Sequence, residues 1–282
     1  MKTLLLTGGT GFVGSRLRKE LAEGFTVLAP TRAEMDFTDW EQVYAYVCQH
    51  TPAVIIHAGA LAETGYCQKH PQDSFRVNVL GAENLAIAAK QVGAKLVYFS
   101  SDQVYNGSKA EGPHEESEQG LAPTNVYGVH KLEAERRVLA ACPDAVCLRA
   151  SWMYDLPVEG AKTGLGLVGK LYHAAITKRP LGLNSTEWRG ITWVGLLVKQ
   201  MAKITTLPGG IYNAGCQVEK NSLETGKDMA KLLGLSRRIV CSAAMPGRNL
   251  SMNCEKLRQQ GVDLGSTVDG LRSCLAAYGL AK

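Results

Sequence analysis

No stretch of this sequence approaches the ~18 consecutive apolar residues of a membrane-spanning helix. An integral helical membrane protein is therefore excluded. Blocks of like charge are also missing, and the formal net charge is only +5. That balance excludes a nucleic-acid-binding tract and fits either an anionic small-molecule ligand or a solvated basic face. Eight cysteines are present (Cys48, Cys67, Cys142, Cys147, Cys216, Cys241, Cys254 and Cys274), yet none forms a CxxC pair, so the common zinc spacing is absent. They read as reduced, mostly buried thiols. His57, His70, His114, His130 and His173 are dispersed and no carboxylate set accompanies them, so no metal is expected. Lys2 is followed only by LLL before TGGTG, which does not read as a signal peptide. A cytoplasmic protein is expected. Internal repeats, low-complexity tracts and an obvious linker are lacking as well.

What is present is enough chain, 282 residues, for one large α/β unit or two small domains. Short apolar runs predict strands at 2–7, 25–30, 53–59, 95–101 and 145–151. Between them lie segments with helical spacing: the one beginning at Phe12, residues 39–50 with Asp39 as cap, a long helix over 71–93, and the segment containing Tyr127. Strands alternating with helices predict an α/β, Rossmann-type doubly wound parallel sheet, with a smaller C-terminal substrate-binding region. The boundary is expected near 151, giving 1–151 for dinucleotide binding and 152–282 mainly for substrate. Helices near 163–178, 193–204, over NSLETGKDMAKLLGL and in the last ~15 residues are predicted there, with a strand near 210–215. Segments near 184–215 are expected to return to the first sheet.

The turn TGGTGFVG places Gly8, Gly11 and Gly14 three apart, between the first strand and the first helix. In that context the spacing reads as a dinucleotide fingerprint. Gly8 permits the tight turn, Gly11 lets the backbone approach a pyrophosphate, and Gly14 allows close helix packing. Free N–H groups at the helix start then face the phosphates. An acid closing the second strand would bind the ribose of NAD, whereas an arginine suits the 2′-phosphate of NADP. Here the strand runs into APTRAEMDF, with Arg32 in place and no acid between Val27 and Thr31. NADPH is therefore expected over NADH. Thr10, Phe12, Val13, Asp36, Phe37, Ala58, Gly59 and Ala60 complete the expected cofactor-binding set.

The stretch VYGVHK carries Tyr127 and Lys131 one helical turn apart, where their Cβ atoms come within ~5–6 Å. A nearby cation favours a phenolate. Moving a tyrosine pKa by ~2–3 units takes only ~3–4 kcal/mol. Upstream, the fourth strand ends in YFSSDQVY, with Ser101 the preferred hydroxyl and Ser100 the less favoured one. This set resembles the extended short-chain dehydrogenase/reductases, which pair a hydroxyl residue after strand four with a YxxxK helix. HAGALAE and FRVNVLGAENLA, with Asn78, look like further segments of that family. Within it the sequence is most similar to the dTDP-4-dehydrorhamnose reductases of the RmlD type. LRASWMY resembles their LRxSWxY, SSDQVYNG their STDYVFDG and YGVHKLEAE their YGxxKLxGE, while GIYNAG and EKLRQQG fall where that family has similar segments. The resemblance implies Tyr127 as proton donor, Lys131 as its electrostatic partner and ribose ligand, and Ser101 as the group that holds the carbonyl oxygen. It also implies Asp102, Trp152 and Arg248 at the substrate.

The reaction class turns on the same loop. Sugar-nucleotide 4,6-dehydratases carry Thr-Asp-Glu there, but this chain has Ser101-Asp102-Gln103, and an amide cannot shuttle a proton at neutral pH. Arg32 in place of an acid argues against an epimerase holding NAD. A reductase of a 4-keto sugar nucleotide fits best. Two alternatives stay open: an NAD-dependent epimerase, and a non-catalytic NADP-binding regulatory subunit resembling the methionine adenosyltransferase β subunits. The expected partner is a nucleotide-sugar substrate, without nucleic acid or membrane. A homodimer is compatible with the sequence, which does not fix the oligomer. One departure stands out. Where the family commonly reads Asp-Gln-x-Gly-x-Pro-Thr, this chain reads NSTEWRGITWV, keeping Gly190 and Thr192 but placing Trp188 and Arg189 beside the expected substrate pocket.

Overall fold

The computed structural model describes residues 1–159 and 162–280. Five parallel strands come from the first half: β1 (Lys2–Thr7), β2 (Phe25–Leu28), β3 (Val54–His57), β4 (Lys95–Ser101) and β5 (Val146–Ala150). The helices between them are α1 (Phe12–Leu21), α2 (Trp40–His50), α3 (Thr64–Lys69), α4 (Pro71–Phe75), α5 (Gly81–Val92) and α6 (Val126–Ala141). The second half supplies β6 (Trp152–Tyr154), α7 (Gly166–Thr177), β7 (Leu181–Leu183), β8 (Glu187–Arg189), β9 (Ile191–Trp193), α8 (Val194–Ile204) and β10 (Gly210–Ala214). α9 (Ser222–Leu232), β11 (Val240–Ser242), β12 (Arg248–Leu250), α10 (Glu255–Gln259) and α11 (Thr267–Ala277) follow.

The main sheet has the spatial order β10-β5-β4-β3-β1-β2, all parallel. Its strands are apolar on both faces because both are covered. Leu4, Leu6, Ile56, Val97 and Leu148 pack against Leu17 of α1 and against Leu197, Met201 and Ile204 of α8. Leu5, Ile55, Leu96 and Tyr98, one residue out of phase, pack against α2, α5 and α6 through Val43, Val47, Leu85, Ala86, Ala134 and Val138. A third core joins Tyr154, Leu171, Trp193, Met229 and Leu271 in the C-terminal region. Chain order reverses between β1 and β3, which opens a crevice at the carboxyl ends of the strands.

The Rossmann-type parallel sheet is as expected from the sequence; of the stretch 184–215, β10 joins it beside β5, whereas β8 and β9 pair with β12 and β6 instead. The long helix predicted over 71–93 is a composite of α4, a π-helical turn over Arg76–Leu80, and α5. π turns of this kind widen a helix at sites where a side chain must reach its neighbours. Here Asn78 uses the widening to bond both the N–H and the carbonyl of Leu61, each at 3.0 Å. Helix α3 and six short strands, β6–β9, β11 and β12, were not legible in the sequence. Each of these strands spans three residues, too few for a period to show. The last two residues of the predicted C-terminal helix lie outside the described ones. Among the described residues no helix is long and apolar enough to cross a membrane, and no His, Cys, Asp and Glu gather as a metal site.

Candidate active site

β1 ends in the glycine turn. Gly8 has φ +73°, a conformation open to glycine, and its carbonyl receives the Gly11 N–H at 2.8 Å. A Cβ on Gly14 would lie 2.1 Å from the same carbonyl, so helix and turn touch through bare backbone. α1 then starts at Gly11 with no side chain capping its N–H groups. Those free donors and the positive end of the helix suit a pyrophosphate. Around this turn, Gly8, Thr10, Gly11, Arg32, Asp36, Phe37, Ala58, Gly59 and Ala60 line a cleft of about 290 Å³. Gly14 is buried behind it and lines neither this cleft nor the next. Arg32 extends outward, 71% exposed, its Nε 2.9 Å from Asp36. The nearby acid is thus turned to the arginine. The residues present fit a dinucleotide whose ribose carries a phosphate.

Gly11, Ala58 and Ala60 also belong to an adjoining cleft of about 580 Å³. Its walls include Phe12, Val13, Ser101, Asp102, Gln103, Tyr127, Lys131, Trp152, Arg189 and Arg248. The two clefts share a border, so one extended molecule can lie along both.

Ser101 and Tyr127 meet because the turn after β4 is fastened to the start of α6. Asn125 caps α6, its Oδ1 accepting from the Gly128 N–H at 2.8 Å. Its Nδ2 donates to Gln103 Oε1 at 3.0 Å. The Ser101 hydroxyl accepts from the Gln103 N–H at 3.2 Å, and Ser101 and Tyr127 line the same cleft. Ser100 turns the other way. Its hydroxyl donates to Glu135 at 2.5 Å, inside a buried network where Glu135 also holds Arg149. The two hydroxyls thus point to opposite faces of β4.

Electrostatics correct the expectation for Tyr127. Burial pushes its pKa well above the free value, the neighbouring Ser101 hydroxyl opposes this, Asp102 and Cys67 add to it, and Arg189 is a cation that draws it down. The phenol is held protonated rather than as a phenolate. Lys131 is itself buried, and burial pulls its ammonium down to about 7, with Glu135 working the other way. Its Nζ donates to the Phe99 carbonyl at 2.7 Å and stands 5.8 Å from the centre of the Tyr127 ring. Four residues of helical separation brought the two close but did not point the ammonium at the hydroxyl. Next to it, His57 is kept neutral, its pKa lowered to about 3 by burial and then by Lys131, and its Nδ1 pairs with Thr7 Oγ1 at 2.6 Å.

Asp102 lines this cleft and is wholly buried, and both carboxylate oxygens accept from Arg189: Nε donates to Oδ2 at 2.7 Å and Nη2 to Oδ1 at 3.1 Å. Much of its acceptor capacity is thus engaged within the protein. Trp152 is half-buried on β6, with Arg189 5.3 Å and Lys170 5.0 Å from its ring. Arg248 lies at the rim, its Nε 2.5 Å from Glu187. Trp188 points away from Arg189 and lines a separate cavity of about 660 Å³ with Asn249 and Arg258. The sequence reading noticed Arg189 as bulk but missed its partner, which is 87 residues away in the chain. It also missed Asn125, although an Asn directly before a helical stretch is a capping signal.

The model of the RmlD substrate binding domain family matches residues 1–274. A dTDP-4-dehydrorhamnose reductase of Streptomyces griseus is 31% identical over 218 residues, covering 74% of this chain and 69% of that one. Methionine adenosyltransferase 2 subunit beta of Xenopus tropicalis is 33% identical over 181 residues, covering 61% of this chain and 50% of that one. The crystal structure of dTDP-4-dehydrorhamnose reductase from Bacillus anthracis in complex with NADP superposes with a TM-score of 0.87 at 25% identity, covering 98% of each chain. A single match spanning the glycine turn, the Ser101–Tyr127 pair and the C-terminal region means that the chain belongs to the RmlD substrate binding domain family.

Proposed function

We propose that the protein reduces the 4-keto group of a nucleotide-linked sugar with NADPH, as its dTDP-4-dehydrorhamnose reductase relatives are named for doing. The observation that carries the reading is the presence of Ser101 and Tyr127 in one cleft that borders the glycine turn. NADPH, when bound, supplies the hydride that goes to the carbonyl carbon. Ser101 donates a hydrogen bond to the ketone oxygen and holds it in place. Tyr127 gives its proton to that oxygen as negative charge builds there. A high pKa suits this direction of reaction, because the phenol arrives carrying the proton it must deliver. Lys131 lies beside the nicotinamide end, where its ammonium would bind ribose hydroxyls. Gly8, Thr10, Gly11 and the α1 N-terminus hold the pyrophosphate, and Arg32 takes the 2′-phosphate. Phe12, Val13, Asp36, Phe37, Ala58, Gly59 and Ala60 form the walls. Trp152 faces the sugar, and Arg248 at the rim suits the diphosphate.

The test is loss of reduced-nicotinamide absorbance with a 4-keto-6-deoxy sugar nucleotide. Turnover that yields the 6-deoxyhexose nucleotide supports the reading. Binding of NADPH without turnover of any such substrate overturns it. That outcome favours a regulatory subunit, a reading supported by the likeness to the methionine adenosyltransferase β chain.

A further inference from the structure

Asp102 is a buried carboxylate next to the hydroxyl that must donate to the ketone. Ser101 has one proton to give. Its Oγ accepts from the Gln103 N–H, and its own proton is directed 3.2 Å to Asp102 Oδ1. A bare carboxylate there would do two kinds of harm to reduction. It would compete with the ketone for the serine proton, and it would oppose the charge that develops on the substrate oxygen. Arg189 weakens both effects. It comes from β8, the segment where this chain departs from the usual family pattern, and it covers both oxygens of Asp102 with charge-assisted bonds of 2.7 and 3.1 Å. The Gln103 amide, 3.4 Å from Oδ1, adds only a neutral donor. Arg189 itself is fixed, its side chain 17% exposed and its guanidinium over the Trp152 ring.

We propose that Arg189 is a positioning residue for the reduction: by balancing the charge of Asp102 it loosens that carboxylate's hold on the Ser101 proton, so that the ketone oxygen can take it, and offsets a buried negative charge in the alkoxide's surroundings. This rests on the reductase reading above. Arg189 is also the cation that lowers the Tyr127 pKa, which Asp102 raises, so the same pair bears on both hydroxyls.

The experiment is a double-mutant cycle. Arg189→Met should lower kcat on the order of 10²-fold, the scale of one lost oxyanion donor, with KM changed by only about twofold. Adding Asp102→Asn removes the charge that Arg189 was there to balance, so the double variant should recover at least about tenfold of that loss. Arg189→Lys, which keeps the charge, should lie nearer the wild type. It also serves as the reporter if Arg189→Met does not fold. A loss confined to KM would make Arg189 a substrate ligand and overturn the proposal, as would a double variant no better than Arg189→Met. A second arm needs no turnover. In protein carrying ¹³Cζ-labelled tyrosine, the Tyr127 resonance, assigned with Tyr127→Phe, should move in Arg189→Met and return in the double variant. If it does not move, or does not return, the proposal fails. If wild type reduces no 4-keto sugar nucleotide, the reductase reading falls, and the resonance arm still decides whether Arg189 acts on the hydroxyl pair through Asp102.

Discussion

The ammonium of Lys131 is turned onto the Phe99 carbonyl, 2.7 Å away, and stands 5.8 Å from the Tyr127 ring. Its depressed pKa, about 7 in the fold against about 10.4 in an unfolded chain, has a signed consequence. Between these values the unfolded chain binds the extra proton, so stability rises with pH across that window. The cost of burying the charged form is greatest below about 7. Lys131→Met should therefore stabilise the cofactor-free protein most at about pH 6, and the difference in Tm should shrink by about pH 10. The same titration should appear in binding: NADPH affinity of wild type should fall as pH rises through about 7 to 8, and that slope should vanish in Lys131→Met. A pH-independent Tm difference would contradict the assignment.

Tyr127→Phe removes a single buried hydroxyl and keeps the ring. Reduction should fall by about 10²–10⁴, the usual worth of a positioned acid. NADPH binding should survive, since the phosphates are held at the glycine turn. Steady-state kinetics with a cofactor titration checks both halves. Near-wild-type turnover by Tyr127→Phe would remove it from the mechanism.

Arg32 extends from the cofactor cleft with Asp36 as its partner. Arg32→Ala should weaken NADPH by ~1.5–3 kcal/mol, the worth of a charge-assisted contact, and leave NADH nearly unchanged. Calorimetric titration of both cofactors into both proteins measures this. Equal affinity of wild type for NADPH and NADH would refute the role given to Arg32.

Gln103 has its carbonyl committed to Asn125 and its amide near Asp102, and it carries no proton to exchange. A 6-hydroxylated sugar nucleotide incubated with NAD and this protein should yield no 4-keto-6-deoxy product by mass spectrometry. Appearance of the dehydrated mass would replace the reductase reading with a dehydratase.

The sequence made the first half of the fold legible because its signals are local and repeated. Apolar strand runs alternate with helical spacing, and TGGTGFVG sits where strand becomes helix. The hydroxyl, phenol and ammonium of the site were readable from spacing and from family likeness. Their electrostatics were not, because pKa depends on burial, and burial is a property of the packed chain. Tyr127 is raised by burial, and the groups that modulate the shift, Ser101, Asp102, Cys67 and Arg189, lie where no window around VYGVHK contains them. The Arg189–Asp102 pair was hidden for a similar reason. Each partner looked ordinary in its own segment, and only the packing of β8 over the turn after β4 joins them. The short strands of the second half escaped notice because three residues carry no period.

Asp155 receives bonds from four directions: Arg16 Nε of α1 at 2.5 Å, Trp193 Nε1 of β9 at 2.8 Å, Tyr278 just past α11 at 3.0 Å, and the N–H of Leu156 at 3.0 Å. One carboxylate thereby ties the first helix to the segment just past α11. During synthesis, α1 leaves the ribosome some 260 residues before its final partner, counting from Arg16 to Tyr278. The main sheet waits too, because its outer strand β10 and the α8 helix that covers α1 lie beyond residue 190. In the chain as it is made, the sheet face of Leu4, Leu6, Ile56 and Val97 therefore gains its α8 cover only after the first five strands are complete.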